Sequence, residues 1–223
     1  MMRVEDLKLV KPRLAPGDAL IIVDLQRDFM PGGALPVEGG DEIVGPTNEL
    51  AAIFNQYGLL VVMTQDWHPP GHRSFASAHG KKPYEPYVSE GIGPVLWPDH
   101  CVQGTLGAEF HPQVNTRFAG AIIRKGYRLE VDSYSAFIEN DRKTPTGLEG
   151  YLSAFEVRRV YLCGLALDYC VHYSALDARA LGLEVIVPID LTRPVNFPPE
   201  QLSHALELMV QRGVQFTKSE AIQ

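Results

Sequence analysis

Val160-Tyr161-Leu162-Cys163-Gly164-Leu165-Ala166-Leu167-Asp168-Tyr169-Cys170-Val171 opens as a continuous apolar run and ends in a short turn. Beyond the turn, Ala175, Ala178 and Ala180 suit a helix that stops at Gly182, and a second apolar run follows from Leu183 to Pro188. Strand, helix, strand is a βαβ unit, whose crossover is right-handed in nearly every known case. Strands that are apolar on both faces are buried on both faces, the condition of a parallel sheet. The turn delivers Cys170 to the first turn of the helix, where the positive end of the helix dipole favours a thiolate. On this stretch alone, however, Cys170 reads more readily as a small buried hydrophobe.

The same pattern repeats outward. Ala19 to Val23 is a run of apolar residues ending in Asp24. From Glu42 to Tyr57, the spacing of Ile43, Val44, Leu50, Ile53 and Phe54 predicts an amphipathic helix, stopped at Gly58. Leu59 to Thr64 is a second buried strand, followed by Gln65-Asp66-Trp67-His68, and Ala121 to Arg124 a third, followed by Lys125-Gly126. Gly147 to Phe155 and Glu200 to Gln211 read as helices, Leu191 to Pro199 as a proline-rich loop, and Gly213 to Thr217 as a last strand. The alternation predicts a three-layer α/β/α fold around a mainly parallel sheet of about six strands. In such sheets ligands bind beyond the carboxyl ends of the strands. The chain reads as one domain over residues 1–223, with a sparsely structured leader at 1–17 and a long irregular region at 69–112. That region is too long for a simple connection, and its aromatics (Phe75, Tyr84, Tyr87, Trp97 and Phe110) argue against disorder.

Composition removes several function classes. The net charge of −7 and the absence of clustered Lys and Arg argue against nucleic acid or an anionic membrane as partner. No apolar segment approaches the roughly 20 residues that span a bilayer, and Met1 to Leu14 has no signal-peptide core. Three cysteines, an odd number, do not make a disulfide framework, so a reducing, cytoplasmic setting is expected. Neither a G-x-G-x-x-G after a strand nor a phosphate-binding G-x-x-x-x-G-K-[ST] is present, which leaves a nucleotide cofactor unsupported.

A parallel sheet collects its strand ends on one edge, and here those ends carry chemistry: Asp24, then Asp66 and His68, then Lys125, then Cys170. Asp24, Lys125 and Cys170 form a sensible nucleophilic set. The carboxylate can take the thiol proton and return it to a leaving group, and the ammonium can hold the anions. Backbone N–H groups between Gly164 and Cys170 could receive an oxyanion. Cys163 lies within a strand and reads as structural, whereas Cys101 lies in the loop beside His100. Asp66-x-His68 puts two metal-ligand side chains on one face of an extended segment. His100 is the preferred third ligand over His72, His79 and His111, giving a three-ligand site of catalytic type. His172 and His204 fall on predicted helices, as packing or surface residues.

The motifs together resemble those of the nicotinamidases, or pyrazinamidases, of the isochorismatase-like cysteine hydrolase superfamily. The matching stretches are Ile22 to Phe29 with Gly32-Gly33, Gln65 to Pro69 with His72 and Ser74-Phe75-Ala76, and Trp97 to Gly104 with Gly107 and His111-Pro112. Lys125-Gly126 with Asp132 to Phe137, and Gly164 to Val171, complete the set. The resemblance implies hydrolysis of nicotinamide to nicotinate and ammonia through a thioester on Cys170, with Asp24 and Lys125 as its catalytic partners. It implies one divalent metal (zinc first, with iron or manganese in relatives) on Asp66, His68 and His100. It further implies substrate contacts from Phe29, Trp97 and Tyr134, and an oxyanion hole of the Ala166 and Cys170 N–H groups with a cis peptide before Ala166. Leu167 departs from the threonine common at that position. An amidase for another small amide and a non-catalytic metal- and nicotinamide-binding sensor are the alternatives, and a homo-oligomer is compatible with the sequence.

Overall fold

The computed structural model describes all 223 residues. Seven parallel strands form one sheet: β1 (Asp18–Val23), β2 (Leu60–Asp66), β3 (Ala121–Lys125), β4 (Arg159–Leu165), β5 (Glu184–Pro188), β6 (Thr192–Arg193) and β7 (Gln215–Thr217). The order is β3-β2-β1-β4-β5-β7, with β6 pairing to β4 off this path. The helices are α1 (Val44–Gln56), α2 (Leu148–Ala154), α3 (His172–Ala180) and α4 (Gln201–Gln211).

Alternation along the central strands sorts their side chains between two cores. Leu20, Ile22, Val61, Met63, Tyr161 and Cys163 face the side covered by Val44, Leu50, Ala51 and Phe54 of α1. Ala19, Ile21, Val23, Val62, Val160 and Leu162 face the other side, with Leu148 and Leu152 of α2, Ala175 and Ala178 of α3, and Leu206 and Met209 of α4. Covered on both faces, β1 is buried along its whole length, which is why it reads as an unbroken apolar run.

The chain winds outward from β1 through β2 to β3, then returns to the other side of β1 for β4. The order therefore reverses between β1 and β4, the place where sheets of this type bind ligands. Register brings the ends together there: Val23 pairs with Gly164, and Asp66 with Lys125. Asp66 and Lys125 are the last residues of their strands, at the ends where the sequence places them. The two-residue β6, inside the expected proline-rich loop, is too short to carry a pattern.

Residues 69–112 contain no α-helix or named strand, yet they are tied down. Short 3-10 turns occur at Ala76–His79 and Leu106–Ala108, and isolated bridges join Phe75 to Trp97, Pro86 to Val95 and His68 to Val102. The first residues of the chain also pack onto the sheet: Leu9 bridges to Phe216, and the Leu14 N–H donates to the Gln223 carbonyl at 2.6 Å.

Gly164 leaves no room for a side chain between β4 and β1. It has φ +105°, and a Cβ there would lie 2.1 Å from the Val23 carbonyl oxygen. Gly164→Ala is expected to cost at least about 3 kcal/mol by forcing the two strands apart in a packed core. Thermal unfolding should show a midpoint lowered by roughly 6 °C or more.

Candidate active site

The four strand-end groups meet around one ammonium. Lys125, fully buried, points its Nζ at Asp66 Oδ1 (2.5 Å), Asp24 Oδ2 (2.8 Å), the Ser133 carbonyl (2.9 Å) and Cys170 Sγ (3.4 Å). Asp24 leaves β1 with φ +47°, a turn that aims its side chain back at the sheet edge. Thr64 holds it there: the Asp24 N–H donates to Thr64 Oγ1 at 3.2 Å, and that hydroxyl donates to Asp24 Oδ1 at 2.7 Å. Cys170 sits in a wide π-type turn, Leu167–Val171, that leads directly into α3. Oxygens of Asp24 and Asp66 and the Cys170 sulfur all lie within 4.8 Å of one another.

Burial dominates the electrostatics. It pushes the Cys170 thiol well above its ordinary range; Lys125 opposes this, while Asp24 and Asp66 add to it. The pull of the helix dipole toward a thiolate is thus outweighed by desolvation beside two carboxylates. Burial also raises Asp24, with Lys125 only partly offsetting it. In Asp66 burial acts upward too, but Lys125 and the two histidines win and hold the carboxyl below its usual range. Burial alone would lower Lys125, yet its acidic neighbours keep it firmly charged.

Next to this group, Asp66, His68 and His100 converge with their ligand atoms within 4.8 Å of one another. His68 Nε2 lies 3.6 Å and His100 Nε2 3.9 Å from Asp66 Oδ2. Each histidine turns its other nitrogen to a backbone carbonyl, His68 Nδ1 to Gly126 and His100 Nδ1 to Pro98, both at 2.8 Å. A carbonyl only accepts, so Nδ1 carries a proton in both rings, and in the neutral ring Nε2 keeps a lone pair for a cation. That is the usual bracing of metal-ligating histidines. His68 Nε2 is buried with no hydrogen-bond partner. One carboxylate and two imidazole Nε2 atoms, one of them buried without a hydrogen-bond partner, fit a divalent cation. His72 differs: its nitrogens contact Ser74 Oγ at 2.7 Å and the Val131 carbonyl at 3.1 Å. His79 donates to the Arg73 carbonyl at 2.8 Å.

A pocket opens beside both groups. Phe29, Trp97 and Tyr134 line it with Asp66, His100, Ala166 and Cys170, and so do Leu35, Asp132, Tyr169 and Val195. Trp97 Nε1–H donates to Tyr134 Oη at 2.9 Å, and that hydroxyl donates to the Gly93 carbonyl at 2.8 Å, so the two rings are locked together. The Leu165-Ala166 peptide is cis, and the Ala166 N–H donates no hydrogen bond within the protein. Several contributors went unmarked in the sequence. Gln26, fully buried, accepts the Asp66 N–H at 2.7 Å and donates to the Asp66 and Ala108 carbonyls at 2.8 Å, clamping two strand ends and the long loop. Thr64 and Ser133 act through one hydroxyl and one carbonyl, and Val195 sits in a loop without periodicity. Tyr169, directly before Cys170, is the one whose position could have pointed to the pocket.

Comparison with known proteins places this geometry. A model of the isochorismatase domain matches residues 18–221. A nicotinamidase from Acinetobacter baylyi is 47% identical over 206 residues, covering 92% of this chain and 94% of its own. A solved nicotinamidase and pyrazinamidase from Acinetobacter baumanii superposes with TM-score 0.88 at 44% identity, covering 92% of this chain and 98% of its own. The pyrazinamidase of Pyrococcus horikoshii, solved in complex with zinc, does so with TM-score 0.75 at 40% identity, covering 91% and 99%.

A further carboxyl is buried in the loop that carries Tyr134. Glu139 is buried, its oxygens lack hydrogen-bond partners, and the nearest cation, Arg128 Nε, lies 3.5 Å away. The adjacent Asn140 accepts the Tyr134 N–H at 3.0 Å. Burial pushes the Glu139 carboxyl up to about 7, with Arg128 opposing and Asp141 and Asp132 adding. Between the ordinary glutamate range and about 7, the folded protein holds a proton that the unfolded chain has lost. The stability this gives is present at the acid end of that window and is lost as pH rises through it. Glu139→Gln should flatten the slope and raise the thermal midpoint above wild type at about pH 8 while matching it near about pH 5.

Proposed function

The chain belongs to the isochorismatase family, and from that premise we infer that it is a nicotinamidase, hydrolysing nicotinamide to nicotinate and ammonia. Pyrazinamide, with the same carboxamide on a related ring, is expected as a second substrate. The observation that carries this reading is the shared ammonium: Lys125 contacts the nucleophile Cys170, its base Asp24 and the metal-site carboxylate Asp66 at once. Reaction centre and substrate anchor are thereby held in one fixed relation.

The aromatic ring enters the pocket among Phe29, Trp97 and Tyr134. Asp66, His68 and His100 would hold a divalent cation, for which zinc suits the donor set. When bound it supplies a Lewis-acid contact for a ring-nitrogen lone pair and so fixes the ring. Because burial keeps the thiol protonated at rest, attack needs a base, and Asp24 takes the Sγ proton as the sulfur bonds to the carboxamide carbon. The oxyanion is received by the N–H groups of Ala166 and Cys170, the first of which has no competing acceptor within the protein. Asp24 returns the proton to the nitrogen, the C–N bond breaks, and ammonia leaves a thioester on Cys170. A water then attacks the thioester carbon while Asp24 takes its proton. The C–S bond breaks, the proton passes to Sγ, and nicotinate is released.

The family match over residues 18–221 supports treating the chain as one hydrolase domain. No helix is long and apolar enough to cross a membrane. All three cysteines are unpaired, which supports a reducing, cytoplasmic setting.

Cys170→Ala should lower ammonia release from nicotinamide by at least about 10,000-fold, as expected for loss of a nucleophile. Retention of wild-type turnover would sink the mechanism. Chelator dialysis should remove both activity and one equivalent of metal per chain. Asp66→Ala should purify without metal and bind nicotinamide at least about tenfold more weakly by calorimetry.

A further inference from the structure

Asp168, two residues before the nucleophile, takes no part in the chemistry above, yet it is fully buried and fully engaged. Its Oδ1 accepts the Val195 N–H at 2.9 Å, and its Oδ2 accepts the Asn196 N–H at 2.7 Å. Asn196 has φ +54°, the conformation that lets two successive N–H groups converge on one anion. The same turn makes two more bonds to this region: Tyr169 Oη donates to the Phe197 carbonyl at 2.6 Å, and Gln201 Nε2 donates to the Asp168 carbonyl at 3.1 Å. The segment so held joins β6 to α4 and has no sheet or helix bonds of its own. Its Val195 side chain lines the pocket with Ala166 and Cys170.

We propose that Asp168 is a positioning residue for substrate selection: its carboxylate latches the 194–198 loop to the catalytic turn and thereby seats Val195 as the wall that limits substituents on the ring of the carboxamide substrate. The proposal rests on the nicotinamidase reading. It explains why a carboxylate is present where no proton is transferred. Only an ionised carboxylate accepts two N–H groups at once with charge-assisted strength, whereas an amide would turn its own N–H₂ against one of them.

Ammonia release is measured for nicotinamide and a set of ring-methylated nicotinamides, using wild type, Asp168→Asn, Val195→Gly, Tyr169→Phe and the Asp168→Asn/Val195→Gly double variant. Asp168→Asn and Val195→Gly should each raise the kcat/KM ratio of methylated to unsubstituted substrate by at least about tenfold, the discrimination carried by one methylene in an apolar pocket. KM for nicotinamide should change more than kcat. Tyr169→Phe keeps the carboxylate and loosens the loop at its other tether, so it should move the ratio the same way by less, and it carries the test if Asp168→Asn does not fold. In the double variant Asp168→Asn should add nothing to Val195→Gly, because the two act through one wall. Equal loss on every substrate with unchanged ratios overturns the proposal, as does full additivity. A wild type that releases no ammonia from nicotinamide overturns the activity and the latch together, whereas an active wild type with unmoved ratios overturns the latch alone.

Discussion

The whole site depends on one buried cation. An unpaired ammonium in a protein interior costs several kcal/mol, so Lys125 is tolerable at the end of β3 only because two carboxylates, a carbonyl and a thiol converge on it. The dependence runs both ways. Asp24 and Asp66 are themselves almost completely excluded from water, and the ammonium between them opposes the burial that raises both carboxyls. The contact therefore fixes the ends of three strands and the turn after a fourth relative to one another. Asp66 belongs to two groups at once, giving Oδ1 to the lysine and turning Oδ2 toward the histidines.

Much of this was legible in the chain because the sheet is parallel and covered. Buried strands write themselves as apolar runs, and a charged residue at the end of such a run has nowhere to go but the common edge. Asp24, Asp66, Lys125 and Cys170 were visible on that ground alone. The partners that tune them were not. Thr64 and Gln26 are ordinary polar residues near strand ends, and their roles depend on which neighbour the register supplies. The Ser133 contribution comes from its backbone, which every residue has. The balance of influences on Cys170 is hidden for a related reason: a helix start can be read locally, whereas desolvation and the approach of two carboxylates are properties of the assembled fold.

The long irregular region shows how a segment without secondary structure can still deliver side chains to fixed positions. Its backbone is held by groups anchored in the sheet. Gln26 and Gln65 both donate to the Ala108 carbonyl, Asp28 accepts the Cys101 N–H at 2.7 Å, and the His68 N–H donates to the Cys101 carbonyl at 3.0 Å. Trp97 donates its N–H to the Ser74 carbonyl at 2.8 Å. His100 thus arrives from a loop tied to the segments that follow β1 and β2, and Trp97 from a pairing with Ser74 and Phe75 within that loop. Sequence patterning marks such a loop as long and aromatic but cannot assign its partners, because each bond spans dozens of residues.

The start of the chain has a role of its own. Strand β7 lies at the end of the sheet order, where a strand normally presents open donors and acceptors to solvent. Here the Val10 N–H donates to the Phe216 carbonyl at 2.8 Å, Leu9 bridges to Phe216, and Thr217 Oγ1 donates to the Val10 carbonyl at 2.8 Å. These bonds occupy groups that could otherwise template a strand from a neighbouring molecule. The first residues thus cover the border that an open β7 would present to a neighbouring chain, so the segment that reads as a mere leader closes the sheet on that side.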